Sequence, residues 1–105
     1  MIRTTPRWYV LEGKEVRPAR NMMEGARAFE DFDKRRVAET YVGEVRISTV
    51  FLGLDHSYSD DGPPLVFETL VFGGLLDGDM ERYSTWGEAE AGHARMVTAV
   101  YRAMH

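Results

Sequence analysis

The stretch VRISTVFLGLDHSYSDDGPPLVFETLVFGG, residues 45–74, decides the fold of this 105-residue chain. Two runs rich in β-branched and aromatic residues, 45–55 and 64–74, flank the polar loop HSYSDDGP. Such runs on either side of turn-forming residues predict a long antiparallel hairpin. A register that sets Thr49 opposite Thr69 gives one face matched cross-strand pairs, and we expect that face to be the core. Its pairs are Ile47 with Val71, Thr49 with Thr69, and Phe51 with Phe67.

The second face of this hairpin is also largely apolar. In the same register its pairs are Arg46 with Phe72, Ser48 with Leu70, Val50 with Glu68, and Leu52 with Val66. Either a helix covers each face, or the second face stays open and mediates binding. In the latter case we expect self-association or a partner complex through Val50, Leu52, Val66, Leu70 and Phe72.

Signals on both sides of the hairpin predict a single α+β domain over residues 1–105. We expect an antiparallel sheet of about four to six strands, a meander around the central hairpin at 45–73, packed with two helices. A capping pattern of Asn21 with Glu24 opens a helix at about 22–33, and Thr85 with Glu88 opens one at about 86–104. A smaller hairpin is predicted from Trp8 to Arg17.

The predicted helices differ in how clearly their apolar sides are defined. Met22, Ala26, Phe29 and Phe32 fall on one side of the first helix, whereas Gly25 weakens it by up to ~1 kcal/mol. The second has a longer apolar stripe, comprising Ala89, His93, Met96, Val97, Val100 and Met104. Gly92 lies within this second helix, and a close approach to the sheet would compensate for its low helix propensity.

Composition and charge exclude several classes of protein. The chain has no cysteine, so disulfides and thiol chemistry are excluded. The formal charge is −4: residues 1–43 carry nine Lys or Arg against seven Asp or Glu, and residues 44–105 carry four against ten. This profile argues against a duplex nucleic-acid partner, which normally requires a clustered basic face. No run approaches ~18 apolar residues, which predicts a soluble, cytoplasmic protein without membrane contact.

Four residues are candidates for acid–base chemistry: Asp55, His56, Glu68 and His93. Asp55 and His56 lie where the hairpin leaves the sheet, and His56 and Tyr58 are predicted to be ligand contacts in that loop. Glu68 interrupts an apolar run, so it needs a charged partner such as Arg46 or a helix residue. His93 fits a core histidine better than a catalytic base, although pairing with Glu68 is geometrically conceivable. No metal or cofactor is predicted.

Two segments of the chain resemble a group of small proteins from bacteriophages and prophages. They are STVFLGLDHSYSDDGPPLVFETLVFGG at 48–74 and RYSTWGEAEAGH at 82–93, and the likeness extends from Trp8 to about Val97. The group has no assigned activity, so the resemblance implies a phage source and a bacterial host cell. It also implies a protein that binds a host factor, including an inhibitor of host defence.

These observations favour a noncatalytic, phage-encoded binding protein over an enzyme. The alternative is a small hydrolase or nucleotide-binding protein that uses Asp55 and His56 with Glu68 or His93. A binding protein predicts an exposed apolar face, whereas an enzyme predicts a concave site in which at least two of these groups meet.

Overall fold

The α+β prediction is confirmed by the computed structural model, which describes residues 7–57 and 62–105. Its helices are α1 (Met22–Glu30), α2 (Phe32–Arg35) and α3 (Trp86–Met104). Its strands are β1 (Tyr9–Glu12), β2 (Glu15–Pro18), β3 (Arg36–Val42), β4 (Val45–Phe51), β5 (Phe67–Phe72) and β6 (Met80–Tyr83). Strands β1 and β2 form a separate hairpin, and the other four form an antiparallel meander in chain order.

The register of the central hairpin is the predicted one. Thr49 pairs with Thr69, and the flanking pairs follow from Phe51 with Phe67 to Arg46 with Phe72. The inward side chains of both strands are at most 5% exposed, so the face assigned to the core is the core. This agreement has a local cause, because a one-residue shift of either strand would turn its buried side chains to the outward face.

Helix α3 covers the core face of the four-stranded sheet. The predicted capping box at its start is present, with Thr85 and Glu88 each bonding the other's backbone N–H. Its buried residues are Ala89, Gly92, His93, Met96 and Val100, and it contacts all four strands. Met104, which the pattern placed on the same stripe, is 45% exposed because the helix extends past the core at its end.

The first helix does not cover the second face of the sheet. It ends at Glu30 instead of about residue 33, because Asp31 leaves helical geometry and caps α2 through its side chain. Met22, Phe29 and Phe32 are about half or more exposed, so the predicted apolar side is not a core face. Gly25 instead sets the packing: a Cβ there would lie 2.8 Å from Trp8 Cβ, so α1 rests against the N-terminal hairpin.

The outward face of the sheet is open where β3, β5 and β6 carry Tyr41, Phe72 and Met80. These side chains are 62%, 40% and 46% exposed. Val66 was predicted to be a contact residue on this face, and that prediction is wrong. It is fully buried in the cluster that contains Tyr9. The N-terminal hairpin reaches this end of the sheet through the bridge between Trp8 and Leu54, so Val66 is core and not surface.

In the described part of the chain, no helix is long and apolar enough to cross a membrane.

Candidate functional site

The four acid–base candidates do not form one site. Glu68 lies between Phe67 and Thr69 in β5, so its side chain points to the outward face. His93 is a residue of α3 and lies on the opposite side of the sheet, where its side chain is buried between the helix and the sheet. The conceivable pairing of Glu68 with His93 is therefore wrong, since the sheet separates the two side chains.

Asp55 and His56 close the base of the long loop. The Asp55 Oδ1 atom accepts hydrogen bonds from the backbone N–H groups of Ser57 and Leu65, both at 2.9 Å. The backbone N–H of His56 donates to the Leu65 carbonyl at 3.0 Å. These bonds assign Asp55 to loop closure, because one carboxylate oxygen already holds both ends of the loop. Tyr58, the other predicted ligand contact, lies outside the described residues, as do Ser59, Asp60 and Asp61.

Glu68 has its charge partner on the neighbouring edge strand. Arg82, directly opposite in β6, donates from Nε to the Glu68 carboxylate at 3.1 Å. The predicted partner Arg46 instead donates to Glu39 on β3 at 3.0 Å. Glu39 is a diagonal neighbour of Arg46, whereas Glu68 lies four residues along β5 from the residue opposite Arg46, so each arginine pairs with the carboxylate nearest to it.

His93 belongs to a buried hydrogen-bond network in the core. Its Nδ1 lies 2.7 Å from Thr49 Oγ1, and its Nε2 lies 2.8 Å from Thr40 Oγ1. Thr49 also bonds Thr69, whose hydroxyl accepts from Tyr83. Burial lowers the pKa of His93 because the charged imidazolium would lose its hydration. With both ring nitrogens bonded to threonines, His93 is a satisfied core residue.

The outward face of the sheet carries a group of neighbouring side chains suited to binding. We call it the outer patch, and it comprises Tyr41, Arg46, Leu70, Phe72 and Met80. Tyr41, Arg46 and Phe72 lie side by side across β3, β4 and β5, and Leu70 pairs with Met80 in the next row. The Arg46 guanidinium lies 4.6 Å from the centre of the Phe72 ring. With Glu39 as its second contact, Arg46 is held in place, so the patch presents aromatic and aliphatic surface around a fixed cation.

Two of the predicted contacts border the outer patch and do not form its centre. Val50 is half-buried opposite Glu68, and Leu52 is half-buried after the end of β4. Leu70 and Phe72 do belong to the patch.

Tyr41 and Met80 were missed by sequence reasoning, although a signal for one of them was present. A two-residue turn at Gly43–Glu44 pairs Val42 with Val45, and this pairing places Tyr41 beside Arg46. Gly43 has a φ of 59°, as such a turn requires. Met80 was harder to find, because it lies outside the central hairpin and joins this face only through the pairing of β5 with β6.

Comparison with models of known families, with curated proteins and with solved structures finds no match to this chain. Within residues 7–57 and 62–105, no three His, Asp or Glu side chains are grouped as a metal site would need.

Proposed function

We propose that this chain is a noncatalytic binding protein that docks another protein on its outer patch. The observation that carries the proposal is the exposure of Tyr41, Phe72 and Met80 on strands β3, β5 and β6 of one sheet face. An open sheet face with large apolar side chains is a common form of protein interface, because contact removes that surface from water.

The composition of the outer patch supports protein docking in particular. Tyrosine, phenylalanine, methionine and arginine are enriched at protein interfaces, and tyrosine and arginine are frequent hot-spot residues. Here Arg46 is already paired with Glu39 and stacked on Phe72. The patch therefore loses little side-chain freedom on binding, which favours affinity.

The hydrolase alternative has less support from the described residues. Asp55 is engaged with backbone N–H groups, Glu68 with Arg82, and His93 with two threonines on the far side of the sheet. The resemblance to small phage proteins supports a host protein in the bacterial cytoplasm as the partner. A second copy of this chain is the other occupant that the same patch would accept.

The test is affinity capture from a bacterial lysate with three baits: the unmodified chain, Phe72→Glu and Leu75→Glu. Leu75 is the matched control, because it is 83% exposed in the turn after β5 and lies outside the outer patch. We expect the unmodified chain and Leu75→Glu to capture the same protein and Phe72→Glu to lose it. Equal capture by both variants would contradict the proposal.

Light scattering on the same three proteins identifies the occupant. A monomer in all three samples, with capture lost only in Phe72→Glu, indicates a host partner. A dimer that Phe72→Glu dissociates and Leu75→Glu does not would make the partner a second copy. Circular dichroism of each variant controls for loss of folding.

A further inference from the structure

A second feature of the molecule lies away from the outer patch, between the N-terminal hairpin and helix α1. It is a cavity of about 590 Å³, within the range of about 300–1,000 Å³ that is typical of small-molecule sites. Its apolar wall includes Val10 and Phe51, which are 3% and 2% exposed, together with Leu11 and Met23. The cavity therefore has a fixed floor, because two of its wall residues belong to the core.

The rim of this cavity is strongly basic in a chain whose net charge is −4. Five cationic residues line it, namely Arg17, Arg20, Arg27, Lys34 and Arg35, against the two carboxylates Glu24 and Asp31. Both carboxylates are already paired: Glu24 lies 2.7 Å from Arg17 Nη2, and Asp31 lies 3.6 Å from Lys34 Nζ. Among the residues that the structure describes, Arg20, Arg27 and Arg35 form no ion pair with a carboxylate.

Arg35 is the most deeply placed of these three. Its Nε donates to the Phe51 carbonyl at 2.9 Å and its Nη1 to the Phe29 carbonyl at 3.1 Å, while the Phe29 ring lies 3.9 Å away. These contacts fix the position of the group but do not neutralise it, because carbonyls carry no net charge. Burial lowers the pKa of Arg35 from its ordinary value, as expected for a cation partly removed from water.

Arg20 and Arg27 are the exposed cations of the rim. Neither guanidinium forms an ion pair with a residue of the described chain. Arg27 shares one side of α1 with Glu24 and the cap residue Asp31, because residues three and four apart lie together on a helix. Arg20 immediately precedes the cap residue of the same helix, so both side chains converge on the cavity that they line.

We propose that this cavity binds a small phosphorylated molecule, with its phosphates on Arg20, Arg27 and Arg35 and its less polar part against Val10 and Phe51. A guanidinium donates paired N–H groups that match phosphate oxygens. Three guanidinium groups that form no ion pair within the described part of the chain suit an anion with two or more negative charges, which favours a phosphate ester or anhydride over a single carboxylate. The apolar wall requires that the ligand also carry a ring or chain. This site does not depend on the outer patch.

Calorimetric titration with ADP tests the proposal, with adenosine as the uncharged probe. We expect ADP to bind and adenosine to bind at least about tenfold more weakly, since charge-assisted hydrogen bonds to phosphate supply the difference. Affinity for ADP should fall when NaCl is raised from about 50 mM to about 500 mM, because these exposed charges are screened.

A matched pair of variants assigns the binding to the cavity. Arg27→Gln removes a rim cation from the last turn of α1, and Arg102→Gln removes an exposed arginine from the last turn of α3. Both changes remove the same helix-end charge, so their effects on helix stability should be similar. We expect Arg27→Gln to weaken ADP binding by about tenfold or more and Arg102→Gln to leave it unchanged. Arg20→Gln provides a second variant if Arg27→Gln fails to fold.

Three results would overturn the proposal. The first is the absence of ADP binding to the unmodified chain at about 10 mM ADP, because a site with a Kd of about 1 mM would be mostly occupied at that concentration. The second is equal affinity for ADP and adenosine. The third is the same ADP affinity in the folded rim variant and in Arg102→Gln. None of these results bears on protein docking at Phe72, so the two proposals fail separately.

Discussion

Gly92 of α3 lies directly against the ring of Tyr83 in β6: a Cβ on Gly92 would be 2.1 Å from the Tyr83 Oη atom. The Tyr83 hydroxyl has two hydrogen-bond acceptors within reach. Thr69 Oγ1 lies 3.1 Å from it and the Glu81 carboxylate lies 2.8 Å from it. The missing side chain therefore allows the helix to approach the sheet, and the tyrosine fills the space.

Adding a methyl group at this contact should destabilise the protein. Gly92→Ala gains helix propensity, but the buried and hydrogen-bonded Tyr83 ring has to move, and overpacking of this kind costs about 1–3 kcal/mol. Gly87→Ala is the control, because nothing lies within 4 Å of its position. Urea denaturation should show a lower free energy of unfolding for Gly92→Ala and an unchanged or higher value for Gly87→Ala. Equal stability of the two variants would contradict the tight contact.

Phe67 should contribute far more to stability than Phe72 on the same strand. Phe67 is fully buried, and its ring makes edge contacts with Phe51 and Trp86. Phe67→Ala should lower the free energy of unfolding by about 3–5 kcal/mol, because it leaves a cavity in the core. Phe72→Ala, on the outward face, should cost no more than about 1 kcal/mol. Chemical denaturation of both variants measures the difference, and a small effect at Phe67 would reverse the assignment of faces.

His93 should make the protein less stable in mild acid. Burial lowers its pKa in the folded state below the ordinary value of about 6.5, so the unfolded chain binds a proton more readily. Stability is then highest above pH of about 6.5 and falls as the pH drops towards the lowered pKa. We expect His93→Gln to reduce this loss between about pH 7.5 and pH 5.5, as measured by denaturation midpoints.

His105→Gln is the control for the His93 experiment, because His105 is exposed after the end of α3. This variant should retain the pH dependence of the unmodified chain. If His93→Gln and the unmodified chain lost equal stability on acidification, the network around Thr40 and Thr49 would not hold a neutral imidazole.

Glu24 should titrate well below an ordinary glutamate. The side-chain hydrogen bonds from Arg17, followed by the Arg20 backbone N–H, lower its pKa to about 2 from the usual 4.5. Its contribution to stability is therefore present above pH of about 4.5 and is lost as the pH falls towards 2. NMR titration of Glu24 should show this pKa in the unmodified chain and a higher one in Arg17→Gln. An unchanged pKa in Arg17→Gln would show that the ion pair does not form.

The sequence by itself determined the features that depend on local pattern. Alternating side chains fixed the register of β4 and β5, and the polar residues at Asn21 and Thr85 fixed the starts of α1 and α3. These features are readable because each depends on residues that are close in sequence or paired across one hairpin. Part of the outer patch could be predicted for the same reason, as Leu70 and Phe72 follow from that register.

Only the tertiary structure decided where α1 packs and which charges meet. In the sequence Gly25 only lowers the helix propensity of α1, whereas in the structure its missing side chain allows α1 to pack against Trp8. The basic cavity arises because residues from β1, β2, α1, α2 and the end of β4 converge there. Likewise, Arg82 reaches Glu68 only through pairing of β5 with β6. Such contacts join segments distant in the chain, and their geometry depends on packing, which periodicity and capping patterns do not encode.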